Sequence, residues 1–194
     1  MTCCKGRLQI SPGFCLLAAW FGTVNGYRLL VTVLAAALIH EAGHWLALRV
    51  AGAEVLSLRV GMLGMVMEMD SRRLTYGREL AVLLAGPGVN LLCACLLTLL
   101  AEGGETAVGA HLILGAFNLL PVRPLDGGRA LYLLAAWFLG PDRGELFARG
   151  VGALTAVLLA LGLCLLCRWT GGSLWLLPAA AGLLAAAGRE SFGK

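Results

Sequence analysis

Charge is scarce in this sequence. Only 13% of its 194 residues are Asp, Glu, Lys or Arg, against roughly 25% in a soluble domain. The two lysines, Lys5 and Lys194, stand at opposite ends. With 59% hydrophobic residues and a mean hydropathy of +0.85, there is too little polar surface to clothe a soluble domain, and the chain reads as an integral membrane protein. The net charge of +4 does not point to nucleic acid, because the basic residues form no run and do not interleave with aromatics. A disulfide framework is also missing. The cysteines Cys3, Cys4, Cys15, Cys93, Cys95, Cys164 and Cys167 fall mostly in apolar runs, where a thiol packs as a small hydrophobe, and Cys164-x-x-Cys167 lacks the polar setting of a redox or zinc pair. No inverted internal repeat supports a transporter, and the length admits one domain.

Against this background one stretch stands out, Ala36-Ala-Leu-Ile-His40-Glu41-Ala-Gly-His44-Trp45, a H-E-x-x-H pattern inside a long apolar run. On a helix, imidazoles four residues apart share one face about one turn apart, so both can ligate a single Zn²⁺. Glu41 then lies beside the metal and is the candidate general base for a water whose pKa the metal lowers. Three ionisable side chains in a membrane helix are costly, which marks the stretch as functional.

Hydropathy divides the chain into about six spans, near residues 8–24, 28–50, 79–101, 107–139 (broken at 121–126), 151–167 and 173–188. The expected fold is therefore an all-α polytopic membrane protein. A signal peptide is disfavoured, as no small-x-small cleavage site follows the first run. Between the second and third spans, Val55 to Asp70 alternates with period two around Leu63-Gly64, which predicts a small β-hairpin. It is either a solvent-side hairpin or a sheet edge that receives substrate as an added strand. Residues 140–149 read as a polar connection.

Gly86-Pro87-Gly88 interrupts the third span, and Asn90 beside it serves either an interhelical bond or a substrate backbone. Two prolines, Pro121 and Pro124, break the fourth and deliver Asp126, the only carboxylate between Glu105 and Asp142. Asp126 is accordingly the candidate third ligand, with a helix N-cap as its alternative role. His111 reads as a polar interface residue rather than a ligand. Six spans with the N-terminus in the cytoplasm place Lys5, Arg7, Arg49, Arg59, Arg72, Arg73, Arg78, Arg143, Arg149, Arg189 and Lys194 inside and only Arg28 and Arg168 outside. Both termini and the metal site then lie toward the cytoplasmic side.

His40-Glu41-x-x-His44, Ala85-Gly86-Pro87-x-x-Asn90 and Asn118-x-x-Pro121-x-x-x-Leu125-Asp126-Gly127, in that order, resemble the site-2 protease family of intramembrane zinc metalloproteases. The resemblance spans roughly residues 30 to 135. It implies that His40, His44 and Asp126 hold Zn²⁺, that Glu41 is the base, and that Asn90 and Asn118 lie near the substrate backbone. It also implies a membrane-associated β region. The six-span layout is similar to the sporulation stage IV branch, whose substrate is a membrane-tethered pro-sigma factor, although neither a PDZ nor a CBS domain is expected. The implied partners are a membrane-protein substrate and the bilayer of a bacterial cell, with room for a second copy or an inhibitory membrane protein and no nucleic acid. The competing reading is a metal-binding membrane scaffold without proteolysis.

Overall fold

A computed structural model of the chain describes residues 7–53, 55–61, 64–69, 74–100 and 104–169. The sixth span expected at residues 173–188 lies outside the described residues. The elements in order are β1 (Arg7–Ile10), α1 (Pro12–Asn25), α2 (Tyr27–Ala51), β2 (Val55–Gly61), β3 (Gly64–Met69), α3 (Tyr76–Leu100), α4 (Glu105–Asn118), α5 (Asp126–Leu139) and α6 (Pro141–Trp169). They fall into two compact units that divide between Ala116 and Phe117.

In the first unit, α2 and α3 are each 25 residues long and apolar enough to cross a membrane. The buried positions on α2 are Ala36, His40, Gly43, His44 and Leu48, a stripe at helical spacing, while Val31, Leu38, Leu46 and Val50 are exposed. Small and polar residues inside with large apolar ones outside is the distribution that suits a lipid surround. The end of α2 is closed by a Schellman motif: Gly52 adopts φ +74°, its N–H donates to the Arg49 carbonyl, and the Ala53 N–H donates to the Leu48 carbonyl. Leu48 and Ala53 then pack with Val82 of α3.

Residues 8–11 do not extend the first span. Arg7–Ile10 is a strand that pairs parallel with β2, from Arg7 opposite Ser57 to Ile10 opposite Val60. The helix starts only where the Ser11 hydroxyl accepts the Phe14 N–H and Pro12 opens the first turn. Gly26, at φ +88°, separates α1 from α2. Strands β2 and β3 pair antiparallel, with Gly61 opposite Gly64 and a register shift between Val55 and Ser57.

In the second unit, the chain breaks after α4 through residues 119–125 and resumes helix at Asp126, with Leu125 as the N-cap. The Leu125 N–H donates to the Val122 carbonyl, and the Gly128 and Arg129 N–H groups donate to the Leu125 carbonyl. Gly127 is required here, because a Cβ at that position would run into the Leu119 carbonyl. Val122 is buried with Ala156, and Leu125 packs against them.

Residues 140–149 are not a connection. Pro141 starts a single helix that runs through to Trp169, and Gly144 lies against the backbone of Ala135 and Ala136 on α5. Of the charges that suggested a loop, Glu145 and Arg149 are paired locally. Arg123 makes a two-pronged bond to Glu145, 2.8 Å on each arm, and Arg149 binds the same carboxylate at 2.7 Å, one turn along. Arg123 also lies 5.0 Å over the Tyr132 ring. Among the described residues, 141–166 is the third stretch long and apolar enough to span a membrane.

Because these side chains are half-exposed, the Arg123–Glu145 pair contributes about 1 kcal/mol or less. Arg123→Ala and Glu145→Ala should each lower the melting temperature of the detergent-solubilised protein by a few degrees, and the double variant should cost less than the sum. Strict additivity in a thermal-shift series would show that the pair does not hold the break.

Candidate metal centre

Helical spacing places His40 and His44 on one face of α2, and packing against α3 fixes what they do there. Their rings meet edge to face, with centroids 4.7 Å apart, and their Nε2 atoms lie 3.1 Å apart. Both side chains are buried. Two nitrogen ligands on one tetrahedral zinc are about 3.3 Å apart, so the spacing of the pair suits a shared cation.

The orientation of His44 follows from a backbone group. Its Nδ1 lies 2.8 Å from the Val82 carbonyl on α3, which can only accept, so the proton sits on Nδ1 and the lone pair on Nε2. Orientation of a metal-binding imidazole by a carbonyl behind it is a recurring requirement of such sites. The contact depends on how closely the helices approach. Gly43 abuts the Ala85 carbonyl and Gly86 Cα, and a Cβ on Gly86 would run into the His44 ring.

Behind His40 lies Asn90. It is completely buried, with Nδ2 at 3.3 Å from His40 Nδ1 and Oδ1 at 3.2 Å from His111 Nδ1. The third helix is held close as well, since Gly115 of α4 faces the Asn90 Cβ and the Pro87 carbonyl. Of the two roles open to Asn90, the interhelical bond is therefore present, joining α3 to α2 and to α4. His111, expected as a polar interface residue, is buried and bonded to that amide.

Glu41 is half-buried on α2, immediately after His40. Asn118 ends α4 and is also half-buried. Asp126 is the first residue of α5 in the second unit, and the N-cap position belongs to Leu125. A groove of about 710 Å³ runs along α2 and α3 beside the centre, lined by Gly43, Ala47, Val82 and Ala85 among other apolar residues.

No family model matches the chain. It is 32% identical over 171 residues to Rip3 of Mycobacterium tuberculosis, a protein named as a zinc metalloprotease; the match covers 73% of this chain and 42% of Rip3. A second relative named in the same way, sll0528 of Synechocystis, is 32% identical over 142 residues, covering 68% of this chain and 36% of its own length. The chain thus spans less than half the length of these relatives. Among solved structures, the site-2 protease from Methanocaldococcus jannaschii superposes with a TM-score of 0.68 at 22% identity, covering 98% of this chain and 93% of that one. At that identity the likeness is one of fold, and the sequence relatives together with the three motifs carry the kinship.

The chain belongs to the site-2 protease family. As a site-2 protease relative it keeps the paired histidines, the adjacent glutamate and a helix pair apolar enough to hold them within a membrane. What sequence reasoning missed are the contacts behind the candidate ligands, namely the Val82 carbonyl and the glycines at the helix crossing; His111 is legible as a polar interface residue but not as the partner of Asn90. Of the missed contacts only the glycines left a signal, as small residues flanking a motif on two apolar helices.

Gly86→Ala should drive a methyl into the His44 ring and cut bound metal per folded chain by more than half. Gly88→Ala, where nothing lies within 4 Å, should leave it unchanged. Metal analysis of the two purified variants decides between this crossing and a looser one, for which they would behave alike.

Proposed function

We propose that the chain is an intramembrane zinc metalloprotease that hydrolyses a peptide bond of a membrane-associated protein. The observation that carries this reading is the buried pair of Nε2 atoms 3.1 Å apart with Glu41 next in sequence, set in apolar helices where such groups are otherwise costly. The kinship with zinc metalloproteases supports the choice of metal. Asp126 is proposed as the third ligand, on the strength of its motif and its position at the start of α5 after the helix break.

Bound zinc would supply Lewis-acid polarisation of the scissile carbonyl and lower the pKa of a water molecule. Glu41 accepts the proton of that water and passes it to the departing amine. His40 and His44 would hold the metal, His44 in the tautomer that the Val82 carbonyl sets, which limits the reorganisation needed at that ligand. A substrate helix hides its carbonyls in its own hydrogen bonds and must unwind to present one. Asn118 is proposed to compensate the freed peptide groups. Asn90 shares that role in so far as substrate replaces one of its imidazole partners, and the edge of the small sheet can pair with the extended segment.

We further propose six spans, the sixth formed by residues 173–188, with the basic loops and both termini on the cytoplasmic face of a bacterial membrane and the metal nearer that face. A membrane-tethered transcription factor such as a pro-sigma factor suits a site so placed, because cleavage there releases a soluble product into the cytoplasm. A second copy or an inhibitory membrane protein is a further candidate partner.

Co-expression with such a substrate tests the reading by immunoblot. Glu41→Gln should retain zinc and lose cleavage by at least about 10²-fold, the usual weight of a general base, whereas Asp126→Ala should lose both. Zinc retained at wild-type level in Asp126→Ala would remove that residue from the ligand set. Zinc without cleavage of any tethered substrate would favour a metal-binding scaffold.

A further inference from the structure

Four side chains and one carbonyl form an unbroken polar line through the first unit. It runs from His111 Nδ1 to Asn90 Oδ1 at 3.2 Å, from Asn90 Nδ2 to His40 Nδ1 at 3.3 Å, from His40 Nε2 to His44 Nε2 at 3.1 Å, and from His44 Nδ1 to the Val82 carbonyl at 2.8 Å. Asn90 is fully buried, and His40, His44 and His111 are 5 to 6% exposed. Each polar atom in such a place needs its partner.

The line admits two self-consistent proton arrangements. In the first, every donor points toward Val82: His111 Nδ1–H to Asn90 Oδ1, Asn90 Nδ2–H to His40 Nδ1, and His40 Nε2–H to His44 Nε2. His40 then has no lone pair on Nε2 to offer a cation. In the second, His40 carries its proton on Nδ1 and both Nε2 lone pairs are available. The Asn90 amide must then turn over, so that Oδ1 accepts from His40 and Nδ2 donates to His111. His111 in turn must accept at Nδ1 and hold its own proton on Nε2. Ligation by His40 is therefore tied, through one amide, to the tautomer of a ring on another helix.

We propose that His111 is a positioning residue for the metal centre, acting through Asn90 to keep the proton of His40 on Nδ1 and its Nε2 lone pair free for zinc. The inference rests on the metal-site reading given above. Asn90 alone cannot do this, because an amide can present either end to His40 and, with Oδ1 toward His111, presents its donor end; a lone pair at His111 Nδ1 would make the turned-over amide preferable. The close approach of α4 at Gly115, one turn along from His111, holds the ring within reach.

The test uses the full chain purified in detergent, with zinc as the probe and a chelator as competitor. His111→Leu removes the acceptor and should weaken zinc binding about 10-fold, the low end for a group that orients a ligand from behind. His111→Gln, whose side-chain carbonyl can accept from Asn90, should recover most of that loss. A ring that merely filled space would lower thermal stability in the Leu variant without separating Leu from Gln in zinc affinity.

A second measurement needs no substitution. The chain has three histidines, so ¹⁵N-histidine labelling gives a spectrum of three rings. In the zinc-loaded protein His111 should be the Nε2–H tautomer; a proton on its Nδ1 would overturn the proposal, as would wild-type zinc affinity in His111→Leu. If the wild-type chain takes up no zinc, the metal reading itself falls and this proposal with it. If wild type binds zinc and both His111 variants bind equally tightly, only the proposal falls.

Discussion

The contact between α2 and α3 at Gly43 and Gly86 is the constraint on which the metal centre depends. Helices surrounded by lipid gain little from hiding apolar surface, so they associate through close van der Waals contact and interhelical hydrogen bonds. Two glycines at one crossing allow the backbones to approach until the His44 ring lies over Gly86 and its Nδ1 reaches the Val82 carbonyl. A Cβ at either glycine would meet the facing helix and disturb the bond that orients His44.

Burial of polar groups is the cost of this arrangement, and the structure offsets it by linking them. His40, His44, Asn90 and His111 form one network rather than isolated sites. In an apolar surround the alternative to a partner is a group left unsatisfied. The network is therefore also selective, because changing the proton on one ring obliges its neighbour to change. In the second unit, likewise, Arg123 and Arg149 share the Glu145 carboxylate near the start of α6.

Much of the fold is legible along the chain. Long apolar runs give the extents of α2 and α3 to within a few residues, and Pro121 and Pro124 mark the break between α4 and α5. The errors arose where local charge or apolarity was ambiguous. Residues 8–11 are apolar enough to extend a span, yet Arg7–Ile10 finds a strand partner some fifty residues away in Ser57 to Val60. Residues 140–149 carry the charges of a loop, yet they open a helix, on which Glu145 pairs with Arg123 and with Arg149. Pairing partners distant in sequence cannot be read from composition.

The same division holds at the site. The sequence alone determined which residues are candidates for the chemistry, two imidazoles and a carboxylate within one helical turn, because that spacing is a property of a single helix. Only the tertiary structure decided how those imidazoles are held. The partner of His44 is a carbonyl 38 residues away and that of His40 an amide 50 residues away, itself bonded to a ring a further 21 along. Helix periodicity is a local consequence of the backbone, whereas the atom that stands behind a ligand depends on how three helices pack, and no spacing along one of them records it.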